Sequence, residues 1–505
     1  MPKNNKLKPH LDRSLEEATK LLGNLSSVSD VADFFEVPKG NLLHILYYTD
    51  DSLKYKFFEI EKKRGGHRSI KAPIGGTSIL LNKLKEPLRE LYRTKSCVHG
   101  FVANKSIVTN AKEHSKKKYV FNIDLKDFYG SINFGRVRGL FMSRPFEMTP
   151  EAATVIAHLC THENSLPQGS PVSPILSNFI ASSLDKRLTL LAKKYSLRYT
   201  RYADDITFST NKKSFPRSIA YFEGDNPITG NTVVGKLLED EISASGFEIN
   251  YEKVRLQIPG VRQEVTGLTV NEFPNVRRNY VRQIRAMIHS WRKFGLIASE
   301  SELIDKYAKH APEIKHEDRN GSYFKNVLYG KLAFLKMVRG EDDGVYMGLC
   351  IKVAELDPDA PNKMQELKAM HKKYDIFISH ASEDKENVAY PIYRACEELG
   401  VCAFLDIKYI KWGDSLTEKI NHALGRSKLV LAVLSENSVD KTWPSKEINS
   451  ALARELAGEQ KILPLIVGNP NLSSVSLLHD KLHIKWEGDA ASIAKKIRDL
   501  VYDKT

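Results

Sequence analysis

RYTRYADDITFS, residues 198–209, reads as two β-type runs, YTRY and ITFS, closed by a tight turn that carries two adjacent carboxylates, Asp204 and Asp205. Adjacent carboxylates repel, so crowding both into one turn is costly unless a cation lies between them. Nucleotidyl transfer brings such cations. It uses two Mg²⁺ ions, one activating the attacking hydroxyl and one neutralising the triphosphate and leaving group. A third carboxylate from another strand usually completes a site of this kind. Asp124, which ends the short β-rich run YVFNI at 119–123, is the candidate. Taken alone, an Asp-Asp pair is more often a solvated turn; here the surroundings decide.

The chain has 505 residues, enough for two to four domains, and 42% hydrophobic content, enough for real cores. Lys and Arg total 76 against 62 Asp and Glu, a formal net charge of +14. The excess is uneven. Residues 374–505 hold 17 basic and 19 acidic side chains, and the preceding 373 hold 59 and 43. A basic first part joined to a near-neutral second part implies two units with different partners, the basic one meeting polyphosphate. Cys97, Cys160, Cys350, Cys396 and Cys402 are scattered, with no zinc-site spacing, as in a reducing compartment. The polar start MPKNNKLKPHLDRS does not read as a secretory signal, and no apolar run approaches the roughly 20 residues of a membrane span. The expected location is the bacterial cytoplasm.

Along the chain, residues 1–50 read as short amphipathic helices, with Ser27 or Ser29 a candidate N-cap. KFFEIEKKRGGHRSIKAP reads as a hairpin turning at Gly65-Gly66. Residues 275–293 and 323–339 look helical and basic. Gly344, Pro358 and Pro361 mark 341–372 as a linker. From 373 a strand-helix alternation begins, with YDIFIS, VCAFLD, LVLAVLS and ILPLIVG as strands, and it predicts a parallel α/β sheet.

Around the acidic turn the chain resembles the reverse-transcriptase family from about residue 60 to 340. FNIDLKDFYGSI resembles its first catalytic block, LPQGSPVSPILSN the block against incoming base and template, YADD the second catalytic block, GFEINYEKVR the block that follows, and KKRGGHRSIKAP the fingers hairpin. The resemblance implies a right-hand polymerase with an α+β palm. Its implied metal ligands are Asp124, Leu125, Asp204 and Asp205, holding two Mg²⁺ ions. Its implied dNTP-binding residues are Lys63, Arg68, Tyr129 as steric gate against a 2′-hydroxyl, Gln168, Gly169 and Lys253. Asn110-Ala111-Lys112-Glu113-His114 and Val265-Thr266-Gly267 resemble the NAxxH and VTG blocks of retron reverse transcriptases. Group II intron and diversity-generating enzymes fit less well.

A retron enzyme implies a structured non-coding RNA partner, part of which is copied into single-stranded DNA that stays linked to it (msDNA). Asn110, His114, Val265, Thr266 and Gly267 then count among the RNA-binding residues. So do Arg277, Arg278, Arg282, Arg285 and Arg292 in VRRNYVRQIRAMIHSWRKFG, where Arg alternates with aromatic rings. The apolar stripe Ile284, Met287, Ile288 and Trp291 of the same segment is expected to be core.

Residues 373–505 resemble the TIR family through YDIFISHASEDK, FLDIKYIKWGDSLTEKINHAL and SKLVLAVLSENSVDKTWPSKEINSAL. The resemblance implies a flavodoxin-like domain, with Glu447 cleaving NAD⁺ between nicotinamide and ribose. Trp443, four residues before it, shares its helix face. Trp412 or Tyr409 would stack on the substrate, and Ser379, His380 and Asp406 are further lining candidates. Such enzymes assemble, so homo-oligomers are expected. The domain boundaries read 1–50 helical, 51–275 fingers and palm, 276–340 thumb, 341–372 linker and 373–505 TIR. The whole reads as an anti-phage retron protein. Its rivals are a TIR domain that only recruits another effector, one that makes a cyclic ADP-ribose signal, and a template-free polymerase.

Overall fold

The computed structural model describes residues 7–61, 65–223, 231–306, 318–370, 374–405, 423–438, 461–471 and 483–502. The chain divides into two compact units, residues 1–287 with 322–343, and residues 288–321 with 344–505.

The first unit opens with helices Leu15–Leu22 and Val28–Phe34, each closed by a reciprocal capping box, from Ser14 with Glu17 and from Ser27 with Asp30. Ser27, not Ser29, is therefore the cap. Strands β1 (Tyr55–Glu61) and β2 (His67–Pro73) form the expected antiparallel hairpin, in register from Tyr55 opposite Pro73 to Glu61 opposite His67. At the centre lie β3 (Tyr119–Asp124), β4 (Arg198–Tyr202), β5 (Asp205–Thr210) and, beyond the small pair β6 (Ala220–Phe222) and β7 (Thr232–Val234), β8 (Arg255–Gln257). They pair antiparallel in the order β4-β5-β3-β8.

Alternation along these strands sorts the two faces. Tyr199, Phe208, Phe121 and Leu256 lie opposite one another in register, buried in the core that the helices before and after them share. The other face carries Thr200, Thr207 and Asn122, and ends in Tyr202, Asp205 and Asp124. After β8 come the two-residue strands β9 (Glu264–Val265) and β10 (Leu268–Thr269), joined by Thr266 at φ +46° and Gly267 at φ +82°. Helix Arg278–Phe294 buries Ile284, Met287, Ile288 and Trp291, as its spacing predicts.

In the second unit the stretch expected as a linker is largely helical. Helix Gly344–Leu356 buries Tyr346, Leu349, Cys350, Val353 and Ala354, and helix Asn362–Met370 begins directly after Pro361. Gly344 and Pro361 thus punctuate helix starts, which both residues tolerate. Strands β11 (Tyr374–Ser379), β12 (Ala403–Phe404), β13 (Ser427–Leu434), β14 (Lys461–Ile466) and β15 (Ile484–Lys485) form one parallel sheet in the order β12-β11-β13-β14-β15. Its strands are apolar on both faces. Ile376, Ile378, Leu429, Leu431 and Val433 enter one core, and Phe377, Val430, Ala432 and Leu434 another. No helix among the described residues is long and apolar enough to cross a membrane.

Candidate active site

The β4–β5 hairpin closes through only Ala203 and Asp204, since Tyr202 pairs with Asp205. Ala203 takes φ +58°, a conformation suited to the first position of a two-residue loop but costly for a residue with a Cβ. The register then sets Asp124 of β3 directly opposite Asp205. Leu125 extends the contact, its N–H donating to Asp204 O at 3.1 Å. Three carboxylates from two strands and a turn are thereby gathered at one end of the sheet.

Their electrostatics show what crowding does. Burial pushes Asp205 up to about 7, with the neighbouring Asp204 and Asp124 charges adding to the shift. Burial and the Asp124 charge also raise Asp204. Lys253 Nζ donates to Asp124 Oδ1 at 2.8 Å. Asn250, not singled out by its sequence pattern, donates its backbone N–H to Asp124 O at 2.8 Å. Among the described residues no three acids, histidines or cysteines are drawn together as a finished metal cage. The donor set nevertheless fits hard divalent cations, which take oxygen ligands and relieve like-charge crowding.

Two of the other expected nucleotide-binding residues, Arg68 and Tyr129, lie within electrostatic reach of these acids. The Arg68 charge acts on both Asp204 and Tyr129. Tyr129 is half-buried and paired with Ser177, and its hydroxyl is held well above the usual phenol range, by burial first and then by Asp204. Gln168 O accepts from the Lys71 N–H of β2 at 2.7 Å. Gly169, at φ +117°, has Lys71 O 3.1 Å and Ala72 Cα 3.3 Å from where a Cβ would stand. The fingers hairpin therefore rests on the Gln168-Gly169 loop. Lys63 lies outside the described residues.

The motif residues expected to touch RNA need correction. Asn110, His114 and Val265 are fully buried, so none of them presents a side chain to a partner. His114 instead bridges the hairpin strands, with Nδ1 2.7 Å from Ser209 Oγ and Nε2 2.7 Å from Thr200 Oγ1. Thr266 Oγ1 donates to Ile107 O at 3.3 Å, and Gly267 is exposed. Arg278, Arg282 and Arg285 are exposed. Arg277 forks onto Glu264 with two bonds of 2.7 Å, and Arg292 pairs with Glu355 at 2.7 Å.

In the second unit, strand order 2-1-3-4-5 has its switch point between β11 and β13, where parallel sheets of this kind bind ligands beyond the strand C-termini. Ser379 ends β11 there and His380 follows it. Asp384 accepts from Ser435 Oγ and, at 3.2 Å, from Asn437 Nδ2, tying the loop after β11 to the loop after β13. Asp406, Tyr409, Trp412, Trp443 and Glu447 lie outside the described residues.

An antiparallel palm with its acids at one end, fed by a fingers hairpin, defines a right-hand nucleotide polymerase, here followed by a second, parallel α/β domain. Residues 60–271 match the family described as reverse transcriptase (RNA-dependent DNA polymerase), and residues 376–501 match the TIR domain. The Mx162 retron reverse transcriptase of Myxococcus xanthus is 34% identical, over 51% of this chain and 56% of its own length. The Ec73 retron reverse transcriptase of Escherichia coli is 36% identical, over 54% of this chain and 88% of its own. Over the C-terminal part, the 2′ cyclic ADP-D-ribose synthase AbTIR of Acinetobacter baumannii is 36% identical, over 26% of this chain and 51% of its own. The chain belongs to the retron reverse transcriptases and carries a TIR domain at its C-terminal end. It spans little more than half the length of the Mx162 enzyme.

Proposed function

We propose that the first unit copies part of a dedicated structured RNA into msDNA, and that the TIR domain cleaves NAD⁺ when phage infection disturbs the resulting complex. The setting is the bacterial cytoplasm. The observation that carries the polymerase half is the register placing Asp124 opposite Asp205 with Asp204 in the adjoining turn. Asp124, Asp204 and Asp205, with Leu125 beside them, would hold two Mg²⁺ ions. When bound, these lower the pKa of the primer hydroxyl and neutralise charge on the triphosphate. Arg68 meets the triphosphate from the fingers side. The Tyr129 ring fills the space a ribose 2′-hydroxyl would take, and the Gln168-Gly169 loop orients base and template. Lys253 Nζ carries a proton that the departing pyrophosphate can accept. The exposed face of helix Arg278–Phe294, with Arg278, Arg282 and Arg285, supplies cations for RNA phosphates.

For the TIR half, the family match over 376–501 supports NAD⁺ as substrate. Glu447 would stabilise the oxocarbenium-like transition state as the nicotinamide bond breaks. Trp443 and Trp412 would pack on the substrate, with Ser379, His380 and Asp406 at the crevice. Assembly of several TIR domains would complete each site. A second reading is favoured by the similarity to the cyclic ADP-ribose synthase AbTIR. In that reading the product is cyclised and acts as a signal.

Asp204→Asn with Asp205→Asn should abolish labelled-dNTP incorporation on the cognate RNA; incorporation that survives would remove this site. Cells expressing the chain with its RNA should lose NAD⁺ on infection, and Glu447→Gln should prevent the loss. Equal NAD⁺ in both would sink the effector half. Mass spectrometry of the product separates ADP-ribose from its cyclic form.

A further inference from the structure

Beneath the turn that carries Asp204 lies a buried ion pair with no direct place in the chemistry. Arg201 falls in phase with Tyr199 on the apolar face of β4, and Arg201 and Asp185 are both 0% exposed. Arg201 Nε and Nη2 donate to the two Asp185 oxygens, each at 2.8 Å, and Tyr199 OH donates to Oδ1 at 2.8 Å. The remaining arm is aimed at the turn. Arg201 Nη1 donates to Ala203 O at 3.0 Å, and Ala203 is the residue whose positive φ closes the hairpin.

A backbone segment supports the same residues from outside the sheet. Arg201 N–H donates to Cys97 O at 2.8 Å, and His99 N–H donates to Arg201 O at 2.8 Å. Gly100 follows, where a Cβ would stand 2.6 Å from Ala203 N and 3.1 Å from Tyr202 C. Asn178 Nδ2 holds Gly100 O at 3.0 Å, and Lys105 Nζ gathers Ser96 O and Val98 O at 2.7 and 2.8 Å.

Desolvating two charges makes such a pair no better for stability than apolar side chains of similar volume. Apolar side chains cannot donate to Ala203 O, however. Mg²⁺ demands near-ideal octahedral geometry, so small displacements of its ligands are costly. We propose that Arg201, oriented by Asp185 and Tyr199, and Gly100 are positioning residues that hold Ala203 in its left-handed conformation and thereby aim Asp204 and Asp205 at the metal ions. This rests on the assignment of those two acids as metal ligands.

The test uses the full chain with its RNA. One variant combines Arg201→Met, Asp185→Leu and Tyr199→Phe, replacing the network by apolar groups. The other, Gly100→Ala, alters no charge. Mn²⁺ affinity is read by electron paramagnetic resonance without nucleotide, alongside Tm, RNA co-purification and primer extension. Expected for both is Mn²⁺ affinity about tenfold weaker and kcat about 100-fold lower, with KM for dNTP and bound RNA little changed. Wild-type Mn²⁺ affinity and kcat in Gly100→Ala overturn the proposal even where the triple variant fails to fold. Asp204→Asn with Asp205→Asn is the control. If the control loses Mn²⁺ while the two variants keep it, the brace alone falls; if the control keeps Mn²⁺, the metal assignment falls and the brace with it.

Discussion

Replacing His114 by leucine would expose how the catalytic hairpin is held together from below. The imidazole joins Thr200 of β4 to Ser209 of β5, each at 2.7 Å. Leucine fills similar space but leaves two buried hydroxyls without that partner, a cost of about 1–3 kcal/mol. The pH dependence gives a sharper signature. Burial lowers the His114 imidazole from 6.5 to about 3. A histidine that is neutral when folded contributes its full stability above 6.5, and that stability is lost as pH falls from there towards 3, because only the unfolded chain takes the proton. At pH 5, about 1.5 units below the unfolded value, the loss is about 2 kcal/mol. The leucine variant has no such group to lose. His99, which burial brings down to about 4, is common to both proteins and cancels. Wild type should therefore lead the variant at pH 7.5 by the hydrogen-bonding cost, and the lead should shrink by about 2 kcal/mol at pH 5. Hydrogen exchange of peptides covering residues 198–210, read by mass spectrometry and corrected for intrinsic rate, gives the opening free energy directly. A gap of equal size at both pH values would refute the assignment of His114 as a buried neutral strut.

Gly169→Ala forces a side chain onto the backbone of β2, at a φ that costs about 1–3 kcal/mol for a residue with a Cβ. KM for dNTP should rise about tenfold while kcat changes little; an unchanged KM would show that the hairpin does not rest on this loop in solution. Arg282→Ala with Arg285→Ala removes two exposed cations, and the slope of log affinity for the RNA against log salt should fall by about 2. An unaltered slope would place the RNA on another surface. Tyr129→Ala should admit ribonucleotides, raising their incorporation relative to dNTPs about 100-fold, about 2.7 kcal/mol of discrimination. Discrimination that persists in the variant would assign the gate to a different side chain.

Much of the polymerase centre was legible in residue order alone. A tight turn with paired acids at its end, set between β-type runs, has few stable forms, and the YVFNI run before Asp124 names the strand that receives them. The fingers hairpin was equally plain from its Gly65-Gly66 turn. The helical content of 341–372 was not legible. Gly344 and Pro361 look like breaks in a one-dimensional pattern, yet both sit at helix starts, where neither disrupts hydrogen bonding. In composition Arg201 is one of 76 basic residues. Strand phase held the clue, since two residues after Tyr199 it had to face the core.

The sequence by itself determined the hairpin that carries the paired acids and the strand-helix alternation of the C-terminal part, because periodicity and turn composition are local properties that a short window expresses. Tertiary structure alone decided which side chains are reachable. Asn110, His114 and Val265 read as recognition residues in the chain, but packing of helix Ile107–Glu113 between β4 and the β9–β10 pair buries them. What His114 contacts lies 86 and 95 positions away, a separation that no local pattern encodes. The same holds for the acidic turn. Its two aspartates are visible in sequence, whereas the conformation of Ala203 and the opposition of Asp124 to Asp205 arise from strand register and from the guanidinium folded beneath them.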